Sequence, residues 1–340
     1  MRMRRNAAGG RKKRIWAVAA VSFVIIAVVA ACIWGTAQTG KSIRAGKTGI
    51  YPNIAASGDD GDGKIVRYKG KTYEYEDNNI NILCAGIDSR GADSNAGQAD
   101  MLVLLVVNPV AGEIKCIDIN RDTIAPVKVF GVAHKYITTQ DIQVALSFAY
   151  GRNPAEGREL VSDSVSQLFR GIPVHACVSL DFDGIGVLNS IAGGVTVTAI
   201  QNVEKAGIAA GETVTLTDDQ AVCYVTERDS KSGEVGTNAP RMTRQRQYIL
   251  GLSDRLGEKI RNTPWKIIGM YEQMSPYIST DLTKTQMVYL AWKYSRYGLS
   301  QEDIYELPGV YDRTGYYDEY IVDDEKMTDM ILNIFYREVK

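Results

Sequence analysis

The sequence has few of the residues that common metal and nucleic-acid sites require. It contains only two histidines, His134 and His175, and no HExxH or Cys/His zinc-binding spacing, which argues against a multi-histidine metal centre. Lys and Arg number 39 against 40 Asp and Glu, a balance that argues against a nucleic-acid-binding protein. With nine prolines and 32 glycines, the chain is not of low complexity. Any catalysis must rest mainly on carboxylates, arginines and hydroxyl groups.

Charge is distributed unevenly at the amino terminus. Residues 1–14 carry seven basic residues and no acid, and residues 15–34 carry no charge. Subtracting these seven charges from the net charge of −1 leaves −8 on the remaining chain. A run of about 20 apolar residues can cross the hydrocarbon core of a membrane, and the tryptophans Trp16 and Trp34 favour its two interfaces. We expect a cytoplasmic tail (1–14), a transmembrane signal anchor (15–34) and a cell-membrane protein whose carboxyl-terminal domain is extracellular.

Two other interpretations of this segment stay open. Residues 29–32 (VAAC) resemble a lipoprotein cleavage box, and ordinary signal-peptide cleavage near residues 36–38 is the second. Each of them also places the function outside the cytoplasmic membrane. Residues 35–42 match the P-loop pattern, but a membrane span precedes them and Gly46, Gly49 and Pro52 break any helix that follows. We therefore expect no nucleotide site there.

The remaining chain predicts a flexible linker (35–64) and one large domain (65–340). Alternating residues around a glycine turn predict a small hairpin at 65–76. Strand and helix signals then alternate, which predicts an α/β fold with a central mixed β-sheet and helices on both faces, an α/β/α sandwich. Strands are expected at 80–87, 101–107, 114–119, 176–182 and 195–199. Helices are expected at 139–150, 157–168, 218–224, 241–256, 283–297 and 324–336.

The four cysteines of this domain permit disulfides if the domain lies outside the cell. Each of them, however, sits inside an apolar run, where a cysteine behaves as a small buried hydrophobic residue. We expect buried thiols and predict no disulfide.

Charged residues cluster where predicted elements end. Asp88 and Arg90 follow one buried strand, and Arg121 and Asp122 follow another. Because α/β sheets bind ligands at the carboxyl ends of their strands, these two groups can converge on one crevice. A third group consists of Arg228 and a helix start at which Arg241 and Arg244 share one face, with Gln245 beside Arg241.

Carboxylates and arginines together suit phosphate chemistry. Mg²⁺ binds carboxylate oxygens and leaves positions for water and phosphate, and arginines bind phosphate oxygens bidentately. Positioning and charge stabilisation of this kind support phosphoryl transfer. A plainer interpretation, in which these residues form ordinary ion pairs at strand ends, stays open at this point.

Several motifs then resemble the LytR-CpsA-Psr family of cell-envelope phosphotransferases. The similarity extends from Asn79 to about Leu256, in an order and spacing that are more specific than any single motif. The motifs are NILCAGIDSR (81–90), QADML (98–102), RDT (121–123), AYG (149–151), VSLDFDG (178–184), IAGGV (191–195), LTDDQA (216–221) and RMTRQ (241–245).

The resemblance implies roles for the matching residues. Asp88 and Asp100 match the two aspartates that hold Mg²⁺, and Asp122 matches an acidic partner beside an arginine. The arginines implied around the diphosphate are Arg90, Arg121, Arg228, Arg241 and Arg244, with Gln245 after the last of them. The implied reaction is the transfer of glycosyl-phosphate units from a polyprenyl-diphosphate-linked glycopolymer, such as teichoic acid or capsule, to peptidoglycan, with release of polyprenyl phosphate.

The chain also departs from the family pattern. Gln98, Gln143 and Thr226 replace cationic positions, Ala145 replaces an asparagine, and Asn120 replaces a proline. These departures keep open a non-catalytic lipid-glycan-binding or regulatory protein. A diphosphatase that uses water as the acceptor in the same site is a second alternative. No role in binding nucleic acid is expected.

Overall fold

The computed structural model describes residues 63–89, 97–227, 238–312 and 317–339. No helix in these ranges has the length and hydrophobicity of a membrane span. The predicted tail, anchor and most of the linker lie outside the described residues, as do Arg90 and Arg228.

Fifteen strands and eight α-helices form the described part of the chain. The strands are β1 (Ile65–Tyr68), β2 (Lys71–Tyr75), β3 (Ile80–Asp88), β4 (Gln98–Asn108), β5 (Glu113–Ile119), β6 (Ile124–Phe130), β7 (Tyr136–Gln143), β8 (Ala176–Asp181), β9 (Thr196–Thr198), β10 (Thr213–Thr215), β11 (Ile278–Thr280), β12 (Ile304–Glu306), β13 (Gly309–Asp312), β14 (Glu319–Val322) and β15 (Tyr336–Val339). The helices are α1 (Leu146–Ala149), α2 (Pro154–Leu168), α3 (Gly184–Ala192), α4 (Asp218–Thr226), α5 (Ala239–Asn262), α6 (Ile267–Met274), α7 (Lys284–Tyr294) and α8 (Asp324–Phe335).

A six-stranded mixed sheet forms the centre, in the order β11-β8-β3-β4-β5-β12. β3 runs parallel to β8 and antiparallel to β4, which in turn is antiparallel to β5. The carboxyl ends of β3, β5 and β8 therefore lie at the same edge as the start of β4. This is the α/β fold with a central mixed sheet that the sequence predicts.

Apolar side chains alternate between the two faces of this sheet, because successive residues of a strand point to opposite sides. Leu83 and Ala85 of β3 belong to a buried cluster that includes residues of α2 and α8. Ile80 and Ile82 belong to a second cluster, which includes Leu290 of α7. Helices thus cover both faces of the sheet.

The predicted hairpin at the start of the domain is confirmed. β1 and β2 pair antiparallel around Lys69 and Gly70, and both turn residues have positive φ, 48° and 77°. Such a two-residue turn matches the right-handed twist of the strands. β15 adds to β2, and the rings of Tyr75 and Tyr336 meet edge to face at 5.3 Å. The hairpin therefore joins the two ends of the described domain.

The helix predicted at 139–150 is wrong. Residues 136–143 form β7, which pairs antiparallel with β6, and only α1 is helical. The apolar spacing of Ile142, Ala145, Leu146 and Ala149 fits a helix, but Ile137, Thr138 and Thr139 favour a strand. Pairing with β6 decides the outcome, and this long-range contact is invisible in a local pattern.

Cys116 and Cys177 are buried as expected, whereas Cys84 and Cys223 are half-buried, and the cysteines that the structure describes form no disulfide. Burial raises the pKa of Cys84, Cys116 and Cys177 to about 12. These thiols therefore stay protonated at neutral pH and behave as apolar side chains.

Gly151, which ends the Ala149-Tyr150-Gly151 motif, allows α1 and α2 to approach closely. A Cβ atom here would lie 2.3 Å from the backbone nitrogen of Gly157. We expect Gly151→Ala to destabilise the domain by about 1–3 kcal/mol because backbone atoms must move. In Gly269→Ala, a control in α6 with open space around the added methyl group, stability should be equal or higher. Thermal unfolding of both variants checks this, and equal melting temperatures would contradict it.

Candidate active site

A bulge between β3 and β4 sets the position of Asp100. Gly86 pairs with Met101 and Ile87 pairs with Ala99, so Asp100 is the extra residue at the register shift. Bulges re-aim a side chain and occur frequently beside active sites. Asp100 is buried here, with 6% of its surface exposed. The bulge therefore places a carboxylate inside the protein at the strand ends.

Two arginines share the carboxylate of Asp100. Nη1 of Arg121 contacts Oδ1, and Nη1 of Arg241 lies 3.2 Å from Oδ2. Arg241 is only 2% exposed, and its Nη2 also lies 3.4 Å from the backbone oxygen of Asp100. The cluster joins β4, the turn after β5 and the start of α5. Sequence analysis placed these residues at one site, and the structure brings them into direct contact.

Arg121 is fixed by further contacts. Its Nη2 donates to Oε1 of Gln98 at 2.7 Å, and its Nε lies 3.3 Å from Oδ1 of Asp122. The backbone of Ala145 accepts from Ala99 at 3.1 Å and donates to Arg121 at 3.2 Å. Asp122 therefore orients the guanidinium of Arg121, and the backbone of residue 145 supports the same turn.

Arg244 and Gln245 face the end of α4. Nη2 of Arg244 donates to the backbone oxygen of Glu227, and its guanidinium carbon lies 5.9 Å from the ring centre of Tyr224. Nε2 of Gln245 donates to the oxygen of Val225 at 3.0 Å. Both side chains are buried on the face of α5 that carries Arg241. They therefore hold the segment that leads to Arg228.

Asp88 ends β3, where it is half-buried and pairs in register with Gln98. Asp88 and Asp100 thus lie on neighbouring strands at the same edge of the sheet. Ser89 donates from its hydroxyl group to Asp181, which ends the adjacent strand β8. The described residues of this edge therefore bring together the two predicted metal-binding aspartates and three of the five predicted arginines.

The positions that we expect to depart from the family pattern have structural partners. Nε2 of Gln143 donates to the backbone oxygen of Asp318 at 2.8 Å, and Oγ1 of Thr226 donates to Val222 at 2.8 Å. Asn120 donates to the hydroxyl oxygen of Tyr311 at 2.6 Å and accepts from Nδ2 of Asn238 at 3.0 Å. Asn120 therefore ties the turn before Arg121 to the residue that precedes α5.

A second charged cluster, which was not predicted from the sequence, lies on the other face of α5. Nη1 of Arg246 lies 3.0 Å from Asp118 of β5 and 2.9 Å from Glu306 of β12. Asp118 and Glu306 are neighbours in register on parallel strands. A cavity of about 180 Å³ lies against this cluster and is lined also by Asn120 and Tyr311. In the sequence, the only indication of this cluster was Asp118, an acidic residue inside the apolar run Ile114–Ile119.

The donor set at the strand ends is compatible with Mg²⁺. Asp88 and Asp100 supply carboxylate oxygens, which Mg²⁺ prefers, and it commonly takes only one or two carboxylates with water and phosphate. Each oxygen of Asp100 contacts an arginine but retains lone-pair capacity for another partner. Among the residues the structure describes, no group of three or more His, Cys, Asp or Glu residues could hold a metal.

The fold and the site define a class of protein. Buried arginines gather around a carboxylate at the strand ends of an α/β sheet, an arrangement suited to binding phosphate groups. The chain belongs to the LytR_cpsA_psr family, whose sequence model matches residues 53–334. The resemblance predicted from the motifs is confirmed.

Two curated relatives bear the name polyisoprenyl-teichoic acid--peptidoglycan teichoic acid transferase TagU. The protein from Halalkalibacterium halodurans is 31% identical over 217 residues, which cover 58% of this chain and 65% of the relative. The protein from Bacillus subtilis is 28% identical over 210 residues, 61% of each chain. The match to this chain thus spans less than two thirds of the length of either relative.

Solved structures share the fold. The crystal structure of B. subtilis TagV superposes with a TM-score of 0.59 at 20% identity, covering 76% of this chain and 97% of TagV. A structure of TagT bound to LI-WTA gives a TM-score of 0.57 at 18% identity, with 83% and 98% coverage. These likenesses establish the fold class.

Burial makes the stability of the domain depend on the protonation of Asp118. It raises the pKa of Asp118 from 3.8 to about 7, because desolvation outweighs the attraction of Arg246, and Glu306 raises the pKa further. Between about pH 4 and pH 7 the folded state therefore binds more protons than the unfolded state, and stability falls as pH rises. In Asp118→Asn this side chain cannot ionise. From pH 5 to pH 8 the melting temperature of the wild type should fall by at least about 3 °C relative to the variant. Parallel curves would contradict this.

Proposed function

We propose that this protein transfers glycosyl-phosphate units from a polyprenyl-diphosphate-linked glycopolymer to peptidoglycan. The observation that carries the proposal is the buried cluster in which Arg121 and Arg241 share Asp100. The relatives' name, teichoic acid transferase, supports the choice of donor and acceptor.

Charge balance supports a diphosphate as the ligand. Three arginines of the described site, Arg121, Arg241 and Arg244, stand against the three carboxylates Asp88, Asp100 and Asp122. A bound Mg²⁺ would give this neutral set two positive charges, which match the two negative charges of a diphosphate diester. Arg90 and Arg228, implied by the family resemblance, would add to the attraction.

Atoms and electrons balance in the proposed reaction. A sugar hydroxyl oxygen of the acceptor attacks the phosphorus atom that carries the donor glycan, and a new phosphate ester bond forms. The bond from this phosphorus to the bridging oxygen breaks, and polyprenyl phosphate leaves with the electron pair. The hydroxyl proton passes to a base. A Mg²⁺ ion held by Asp88 and Asp100 would neutralise charge that develops on the phosphate oxygens.

The protein's own groups would mainly position and neutralise the diphosphate. Arg121 is oriented by Asp122 and Gln98, and Arg241 is oriented by Asp100, so both guanidinium groups keep their geometry without ligand. Prepositioned charges of this kind need no reorganisation during reaction, which makes them effective in stabilising a transition state.

We also place the protein in the cell membrane. In this proposal residues 15–34 anchor the chain, the basic tail stays in the cytoplasm and the catalytic domain faces outward. A membrane-bound position would bring the site close to a lipid-linked donor.

A non-catalytic binding protein is the second candidate. Its supporting observation is that the three neutral residues at expected cationic positions form hydrogen bonds with the protein's own groups. These residues are Gln98, Gln143 and Thr226. Such a protein would hold the lipid-linked polymer without turning it over.

Removal of Mg²⁺ and substitution of Asp88 test the proposed reaction directly. The full-length chain in detergent micelles is mixed with a short-chain polyprenyl-diphosphate sugar and a peptidoglycan fragment, with Mg²⁺ or with EDTA. We expect release of polyprenyl phosphate only with Mg²⁺, and a loss of about 10²-fold in Asp88→Asn. Asp88 is the better target because its substitution leaves the contacts between Asp100 and the arginines intact.

Asp254→Asn, an exposed substitution on α5, is the control and should retain full activity. Release that needs Mg²⁺ but not the fragment would indicate a diphosphatase. Donor binding without release under any condition would favour the binding protein, and equal rates with EDTA would remove the metal from the proposal.

Gln98 provides a test of arginine positioning. Gln98→Met keeps the length of the side chain but removes the acceptor for Nη2 of Arg121. Loss of this hydrogen bond should weaken donor binding by about 1 kcal/mol, or about fivefold. Binding can be measured by calorimetry, with the exposed Gln140→Met as the control. An unchanged dissociation constant would show that Arg121 keeps its position without the hydrogen bond to Gln98.

A further inference from the structure

A second cavity lies at the opposite edge of the sheet. It has a volume of about 440 Å³, within the range of small-ligand sites. One face of α2 forms its wall, and Pro173 and Val174, which precede β8, border it. Asp88 and Asp181 end the parallel strands β3 and β8, so the cavity and the candidate active site are separated by the length of the sheet.

Arg158 supplies a buried positive charge to this cavity. The residue is 8% exposed, and its Nη1 donates to the hydroxyl oxygen of Ser279 and, at 3.4 Å, to the backbone oxygen of Pro154. Within the described residues its Nε has no hydrogen-bond acceptor, and no carboxylate lies within ion-pair distance of it. A buried charge without a counter-ion is costly, so a ligand anion would stabilise this arrangement.

Acidic groups also line the cavity, which restricts the kind of anion that fits. Glu159 is exposed, and among the described residues it makes no ion pair. Asp281 accepts from the backbone nitrogen of Cys177 at 2.9 Å, whereas Asp163 is paired with Lys128 at 2.9 Å. A polyanion such as phosphate would be repelled by Glu159 and Asp281. A neutral sugar would leave Arg158 without a counter-ion.

We propose that this cavity binds a short peptide that has a free carboxylate and a free amine. The carboxylate pairs with the guanidinium of Arg158, and the amine lies near Glu159 and Asp281. Ser162 and Ser166 add hydroxyl groups along the same face of α2. The inference does not rest on the transferase proposal, because the cavity shares no residue with the candidate active site.

The test uses the dipeptide Ala-Ala and the full-length chain in detergent micelles. Calorimetry should detect saturable binding of Ala-Ala. Its carboxyl-terminal amide and its N-acetyl form, which lack one charge each, should bind at least tenfold more weakly. Absence of Ala-Ala binding, or equal binding of the capped forms, would overturn the proposal. Binding of inorganic phosphate in place of the dipeptide would overturn it as well, since it would indicate a simple anion site.

Variants separate a ligand-binding role of Arg158 from a structural one. Arg158→Met should lose at least tenfold in Ala-Ala affinity while its melting temperature stays equal or rises, because an uncompensated buried charge is removed. Arg152→Met changes an arginine of the preceding turn that pairs with Glu156 and does not line the cavity, and it should bind as the wild type does. A lower melting temperature with unchanged affinity would overturn the proposal.

Glu159→Gln keeps the test valid if Arg158→Met does not fold. Glu159 is exposed, so its substitution leaves the packing of α2 unchanged. It should weaken Ala-Ala binding severalfold and leave the affinity for N-acetyl-Ala-Ala unchanged, since that peptide has no amine to pair with it. Equal weakening of both peptides would contradict the assigned orientation.

Discussion

The carboxylate of Asp100, shared by two guanidinium groups, is the interaction on which the rest of the site depends. It joins strand β4, the turn after β5 and helix α5 at a buried point. Removing one partner from a buried ion pair leaves an uncompensated charge and typically costs about 3–5 kcal/mol. The contacts of the site therefore also contribute to the stability of the domain. Its geometry is fixed before any ligand arrives, which is the condition under which charged groups stabilise a transition state best.

Helix α5 is held from two sides, and this explains how its arginines keep their positions. One face carries Arg241 and Arg244, which contact Asp100 and the end of α4. The other face carries Arg246, which bridges Asp118 and Glu306 on neighbouring strands. Rotation of the helix would break both sets of contacts together. The cluster at Asp118 thus supports the face that carries Arg241 and Arg244 without touching it.

The sequence predicted the parts of the structure that local patterns determine. The apolar runs gave β3, β4 and β5, and the spacing of Arg241 and Arg244 placed both on one buried helix face. It could not predict the bulge that turns Asp100 inward, since a register shift depends on how two strands pair. Nor could it predict that Glu306 lies beside Asp118, because β12 joins the sheet far along the chain. For the same reason β7 was predicted as a helix. Long-range pairing decided each of these points.

The neutral side chains of Gln98 and Asn120 help to hold the arginines of the site in position. Gln98 does not supply a charge, but its side-chain oxygen holds Arg121 at 2.7 Å, and Asn120 connects the same turn to the start of α5 through Asn238. A lysine or arginine at position 98 would offer Arg121 no acceptor for this hydrogen bond. Gln98 and Asn120 therefore hold Arg121 and its turn in place without adding charge. A site of this kind suits a ligand whose diphosphate is matched by a few fixed charges, with a metal ion supplying the rest.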